Sequence, residues 1–447
     1  MTETAPTSAT AVRPAPAVDA SPPVTPNLVR ERAMAGARAV GRNTIETLLF
    51  RGITTPVAMV LVVIQGRFLQ PEGRGAYVLA VLSVTIVSRL LGQLGVAVTN
   101  RLAHHDADVR ALVQRALGLG VVLGLAGAGA VVSWAAATGE LDVDIAFAAS
   151  LALVPNVVWQ TLSGVLMGLG RIRLWNYVQL GPPLITLVGM LVLVVWLDGE
   201  VVAALVAWAV ANAVTAAFAL TAARDLWLPF RLPPVADGVA RTIARLALVM
   251  GVVQIVNLVS YRVELFVLRH FRDLEDVGVY SIAMQTVESM WLIAAAMATA
   301  VTAPAVHADE REASRLVART AAKALLFTTG AAAVVAAASP FAIPIILGDA
   351  FEDAALPLAL LMPGVVAYAP VTVLVVYLSV RRGRPRLSLA VSIASGVATL
   401  VLGLVLIPAF GLKGAAIASS LGYGVGAVLA WIFFARLTRL TPQAAFA

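Results

Sequence analysis

Six ionisable residues interrupt stretches of sequence that are otherwise apolar: Glu46, Arg51, Arg89, Arg262, Glu264 and Glu288. An ionised group at bilayer depth costs roughly 2.5–3.5 kcal/mol on insertion scales, so each should face a cavity or a partner. Arg51, Arg89 and Arg262 suit an anion, because a guanidinium stays charged and offers paired donors to phosphate oxygens. Glu264 and Glu288 suit a coupling proton or cation. The plainer reading is that the charges pair across helices and hold a bundle together, and it weighs most for Glu46, near a span end. Gln93, Asn257, Tyr261 and Gln285 are polar neighbours that would extend the same lining.

These residues fall on spans set by the bilayer ruler of about 20 apolar residues. The ruler predicts twelve spans, near 45–67, 76–98, 116–137, 145–169, 174–197, 201–223, 246–268, 277–303, 324–346, 355–380, 387–408 and 414–435. All six charges lie on the first, second, seventh and eighth, the leading pair of each half. A polar cavity between two six-helix halves follows from that distribution. Arg262 and Glu264 stand about 200° apart on an ideal helix, so only one of them can point squarely inward.

Composition agrees. The chain has 447 residues, 60% of them apolar and 13% charged, with a mean hydropathy of +0.90. Soluble chains carry roughly 25% charge. A net charge of +7 would suggest nucleic acid in a soluble protein. Here it reads as membrane topology, and no nucleic-acid partner is expected. With the N-terminus in the cytoplasm, 24 of the 32 Lys and Arg residues fall on cytoplasmic segments, and the opposite loops are short and acidic. Both termini are then cytoplasmic.

The chain divides into a disordered basic tail (1–40), a first lobe (41–223), a linker (224–245), a second lobe (246–436) and a C-terminal tail (437–447). The stretch Glu72-Gly73-Arg74-Gly75-Ala76-Tyr77, at the start of the second span, parallels Glu275-Asp276-Val277-Gly278-Val279-Tyr280 at the start of the eighth. Gly170-Arg171-Ile172-Arg173-Leu174 likewise parallels Gly383-Arg384-Pro385-Arg386-Leu387. Halves of six spans point the same way, so their symmetry axis runs along the membrane normal.

Cysteine is absent, and the four histidines lie in or beside loops, so no metal site is expected. No phosphate-cradling Gly-rich loop with Lys-Ser/Thr and no His-Glu-x-x-His helix occurs. No cofactor and no catalytic residue are expected. Energy for transport would come from H+, Na+ or the membrane potential.

Several stretches resemble the Wzx-like polysaccharide flippases of the multidrug/oligosaccharidyl-lipid/polysaccharide (MOP) superfamily. They are Gly66 to Tyr77, Tyr261-Arg262-Val263-Glu264, Val277 to Ser281, Gly348-Asp349-Ala350-Phe351, Pro363-Gly364 and Ile407 to Ala416. The resemblance runs from about residue 40 to 440. It implies an all-α, MATE-like pair of lobes around a cavity formed largely by spans one, two, seven and eight, opening alternately to either side. It also implies a multi-pass protein of the bacterial inner membrane, and not an enzyme. Such a protein moves a polyprenyl-pyrophosphate-linked oligosaccharide between leaflets for surface polysaccharide synthesis, among membrane lipid and polysaccharide-assembly proteins. The lipid II flippase branch adds two C-terminal helices that are not read here. The runner-up is a cation-coupled multidrug or small-solute exporter of the same fold. A lipid-linked glycosyltransferase would need a larger outer loop than any connection here provides.

Overall fold

In the computed structural model, backbone is described for residues 26–104, 108–229 and 238–438. Met1–Leu49 and Phe50–Ala447 form separate compact units, and side chains are described from Phe50 onward, Arg51, Ala103, His104 and Ala303 excepted. Of the tail expected to be disordered over 1–40, residues 1–25 lie outside the described residues and 26–40 are helical instead; the C-terminal tail beyond Thr438 and the side chains of Glu46 and Arg51 also lie outside the described residues.

The described chain is α-helical. Ten helices or helix pairs are long and apolar enough to cross a bilayer. Two of them are hairpins, which gives twelve crossings. In α1 (Pro26–Leu91) the helical dihedrals break at Gln70, with φ 57° and ψ 174°. Arg74 reaches the Val62 carbonyl and the Gln65 side chain, whereas twelve residues of straight helix would separate them by about 18 Å. The chain therefore folds back there. Pro71 favours the extended ψ of the residue before it, and Gln70 Nε2 donates to the Arg67 carbonyl at 3.1 Å.

The second span ends at a break over Gly92–Gln93 and continues as α2 (Leu94–His104). The first half is completed by α3 (Val109–Thr138), α4 (Val143–Ser150) with α5 (Leu153–Gly168), α6 (Ile172–Met190) with a π-helical turn Leu191–Trp196, and α7 (Val201–Ala222). Asp108 caps α3 by accepting from Arg110 N–H at 2.9 Å, and Gly139 closes it at φ 68°.

The seventh span is also interrupted, as α8 (Gly238–Ser260) and α9 (Val263–Phe271). The sequence predicts one unbroken span from 246. The helix starts earlier, and it breaks at Tyr261–Arg262, where neither Gly nor Pro stands. Tertiary contacts account for the break. Gly396 gives Ser260 room that a Cβ would fill, at 2.7 Å from its Oγ, and Arg262 takes φ −136° as its side chain turns to Glu288.

The rest of the second half comprises α10 (Leu274–His307), α11 (Glu310–Leu347), α12 (Ala355–Val375) with a π-helical turn Val376–Arg381, and α13 (Pro385–Thr438). Asp273 and Asp309 cap α10 and α11 by accepting from Asp276 and Glu312 N–H. The last helix is a second hairpin, turned at Gly411 with φ 55°. A Cβ at Gly422 would strike the Thr399 hydroxyl, 23 residues back.

The two halves meet near the Gln70 turn, where α1 and α10 cross through glycines. A Cβ on Gly75 would overlap the Leu274 carbonyl, one on Gly278 would overlap the Pro71 carbonyl, and each would come within 3.0 Å of the other glycine's nitrogen. These glycines occupy equivalent places in the internal repeat. Nearby, Arg67 donates to the Ile345 and Ile346 carbonyls, and Glu140 meets Arg269 and His270. Toward the opposite face, α8 leans on the first half, with Gly251 against the Leu90 carbonyl.

Candidate functional site: a cavity between the halves

Behind the glycine crossing lies a cavity of about 740 Å³. The first span supplies Thr54 to Val63, α10 supplies Ile282 to Leu292, and α11 supplies Val335 to Leu347. From Leu347 to Val335 it runs about 18 Å along the helix. Its wall is chiefly apolar. Gln285, Glu288, Ser289, Ser339, Thr286, Thr54 and Thr55 form the polar exceptions.

Of the nine residues read as lining or ion-binding, two border this cavity: Gln285 and Glu288. Arg262 reaches its edge by binding Glu288, Nη2 to Oε1 at 2.6 Å, with side chains 21% and 31% exposed. The charge is thus matched across the break in the seventh span. Tyr261 turns into the second half, where its hydroxyl lies 3.0 Å from that of Tyr368 in an aromatic group with Trp291 and Tyr423. Asn257 and Gln93 are half-buried and lie away from the cavity wall. Arg89 is exposed and makes no hydrogen bond or ion pair among the described residues. The expectation that spans one, two, seven and eight enclose the lumen is therefore corrected for this cavity. Most of its wall comes from spans one, eight and nine, with Pro183 of the fifth and Leu358 of the tenth.

Glu264 stands apart from that pair. It occupies the first turn of α9, 1% exposed, and among the described residues neither carboxylate oxygen has a hydrogen-bond partner. The hydroxyls of Tyr423, Thr399 and Ser395, also buried in the second half, are without partners too. Tyr280 and Tyr423 are within electrostatic reach of the carboxylate. The helix break explains how Arg262 and Glu264 serve different surroundings despite being two residues apart.

Arg74, which stands between the first two expected spans, is absent from the expected set. Its side chain is fully buried. Nε donates to Ser281 Oγ at 2.9 Å, Nη1 to Gln65 Oε1 at 2.9 Å and to the Val62 carbonyl at 3.4 Å, and Nη2 to Gln285 Oε1 at 3.1 Å. Arg262 is within electrostatic reach. One signal existed. The repeat aligns Arg74 with Val277, which is itself fully buried, so the position faces inward in both halves.

Outside the spans, Arg171 pairs with Asp225 on the basic face, and its guanidinium holds the Asp225 carboxyl below the usual carboxylate range.

This fold is shared with solved transporters. A lipid II flippase, MurJ, in an inward closed conformation superposes with a TM-score of 0.75 at 11% identity, over 90% of this chain and 89% of that one. An inward-facing multidrug resistance MATE family transporter of the MOP superfamily gives 0.69 at 16% identity, over 86% and 94%. An outward-facing MATE transporter gives 0.59 at 18% identity, over 90% and 95%. No curated protein sequence matches the chain. The polysaccharide biosynthesis proteins match residues 40–308, more than half of its length, and with the MOP transporter fold around the cavity that match makes this chain a member of their family.

Proposed function

We propose that this protein is an alternating-access flippase that carries a polyprenyl-pyrophosphate-linked oligosaccharide between the leaflets of a bacterial inner membrane. The observation that carries the reading is the cavity's composition. It is a long apolar wall for a prenyl chain, beside two guanidiniums of which only Arg262 has a carboxylate at hydrogen-bond distance. Arg51 and Arg89 would meet the head group from the basic face. The positive-inside rule puts that face and both termini in the cytoplasm. Closure at the glycine crossing then leaves the molecule shut toward the outer side.

The ion reading rests on Glu264. A bare carboxylate in an apolar interior is prohibitively costly, so its oxygens require a proton or a cation such as Na+. The unpartnered hydroxyls of Tyr423, Thr399 and Ser395 offer neutral oxygens in the same half. Glu288 is the second acid of the coupling pair, exchanging between Arg262 and a proton or cation. A cation-coupled multidrug exporter remains the alternative, favoured by the apolar wall, and opposed by Glu288 being already neutralised.

Filling the cavity tests the reading. Ser289→Trp and Ala338→Trp should abolish surface glycan in a strain that depends on this chain, with the folded protein still present by size exclusion. Normal glycan with both bulky residues in place would overturn it.

A further inference from the structure

We propose that Arg74 is a ligand-operated clasp: it holds the two halves closed beside the glycine crossing, and a pyrophosphate-type anion arriving at the cavity wall draws it off. Its four acceptors divide evenly, with Val62 and Gln65 in the first half and Ser281 and Gln285 in the second. Each is neutral. No described carboxylate lies within ion-pair distance of this fully buried guanidinium, whereas Arg262 has Glu288.

Neutral acceptors hold a guanidinium less firmly than an anion does, since charge-assisted bonds are roughly twice as strong. A matched carboxylate would have locked it; amides and a hydroxyl leave it exchangeable. Two of the acceptors, Val62 and Gln285, also border the cavity. An anion lodged against Gln285 therefore competes directly for Nη2, and taking it removes one of the two hydrogen bonds from Arg74 to the second half. The crossing glycines, Gly75 and Gly278, have no side chains to interlock, so opening there is resisted by the bonds of Arg74 together with those of Arg67 to Ile345 and Ile346 and of Glu140 to Arg269 and His270. The identity of the anion rests on the function proposed above. The clasp itself does not.

The chain has no cysteine, so two can be introduced without background, at Asp144 and Glu352. Both are exposed, in opposite halves, near the closed face. Spin labels there report the separation of the halves in nanodiscs. The unliganded protein should give one short distance distribution, and Arg74→Gln should shift it to longer distances. Gln285→Leu should shift it the same way while keeping the arginine, and carries the test if Arg74→Gln fails to fold. Undecaprenyl pyrophosphate in the bilayer, or inorganic pyrophosphate in solution, should lengthen the distances in the otherwise unaltered protein and add nothing in Arg74→Gln. Opening with the lipid form alone identifies a head group delivered from the bilayer, and opening with both identifies any accessible pyrophosphate. Unchanged distances in the foldable variants would overturn the clasp, whereas opening in those variants with no response to either pyrophosphate source would keep the clasp and overturn the anion assigned to it. Glycan export is not read here, so a clasp that responds while export assays fail counts against the flippase reading alone.

Discussion

The Arg262–Glu288 pair joins the broken seventh span to α10 at the edge of the cavity. Removing one member leaves the other charge unanswered at the wall, whereas removing both does not. Arg262→Ala should therefore lower thermal stability by roughly 1.5–3 kcal/mol, the range for a hydrogen bond to a charged group. The double variant Arg262→Ala/Glu288→Ala should recover part of that loss, which a thermal melt of the detergent-solubilised protein would measure. The Arg171–Asp225 pair is far more exposed and worth less than about 1 kcal/mol. Because its partner lowers the pKa of Asp225, that contribution is present above the ordinary carboxylate range and fades as pH falls through the lowered value. Asp225→Asn should accordingly flatten this small pH dependence of the melting temperature. Glu264, Glu288 and Gln285 were legible in the sequence, since charge and amide groups in apolar runs must have a use. Arg74 was not, because it stands four residues from a turn and resembled a loop arginine until its neighbours were known.

Helices meet most closely where a Cβ has no room. Gly75→Ala and Gly278→Ala each place a methyl group on a carbonyl oxygen of the opposite half, so each should push α1 and α10 apart and cut the yield of folded protein severely. Gly129→Ala and Gly330→Ala are the matched comparison, for nothing lies within 4 Å of either added Cβ. Alanine there should be neutral or stabilise the helix by about 0.5–1 kcal/mol. Fluorescence-detected size exclusion of the four variants would separate the two classes. The spans themselves were legible from length and hydropathy, and the Gln70 and Gly411 turns fell where spans adjoined. The break at Tyr261–Arg262 was not, because it comes from contacts with Gly396, Tyr368 and Glu288, all distant in sequence. Helical geometry put Arg262 and Glu264 on opposing sides, and the break instead gives each its own environment.

Across the whole molecule, two six-helix halves close at one face around crossing glycines and leave an apolar cavity behind them. The sequence repeat already placed Gly75 opposite Gly278. It could not say that the pair touches, or that most of the cavity wall comes from the first, eighth and ninth spans. Glu264 gives the ion coupling its own test at this scale. Glu264→Gln keeps the shape of the side chain and removes its acidity, so transport driven by a proton or Na+ gradient should fall at least tenfold while the folded protein persists. Transport by Glu264→Gln that still follows the imposed gradient would assign coupling elsewhere.

The flippase reading is tested most directly in cells from which the chain has been deleted. Spheroplasts are treated with periodate, which cannot cross the membrane, and the oxidised fraction of lipid-linked oligosaccharide is measured. The account predicts that the glycan lipid accumulates in the protected inner leaflet, that surface polysaccharide is lost, and that the intact gene restores both. Unchanged leaflet distribution and surface polysaccharide, with altered sensitivity to lipophilic cations instead, would contradict it and point to a drug exporter.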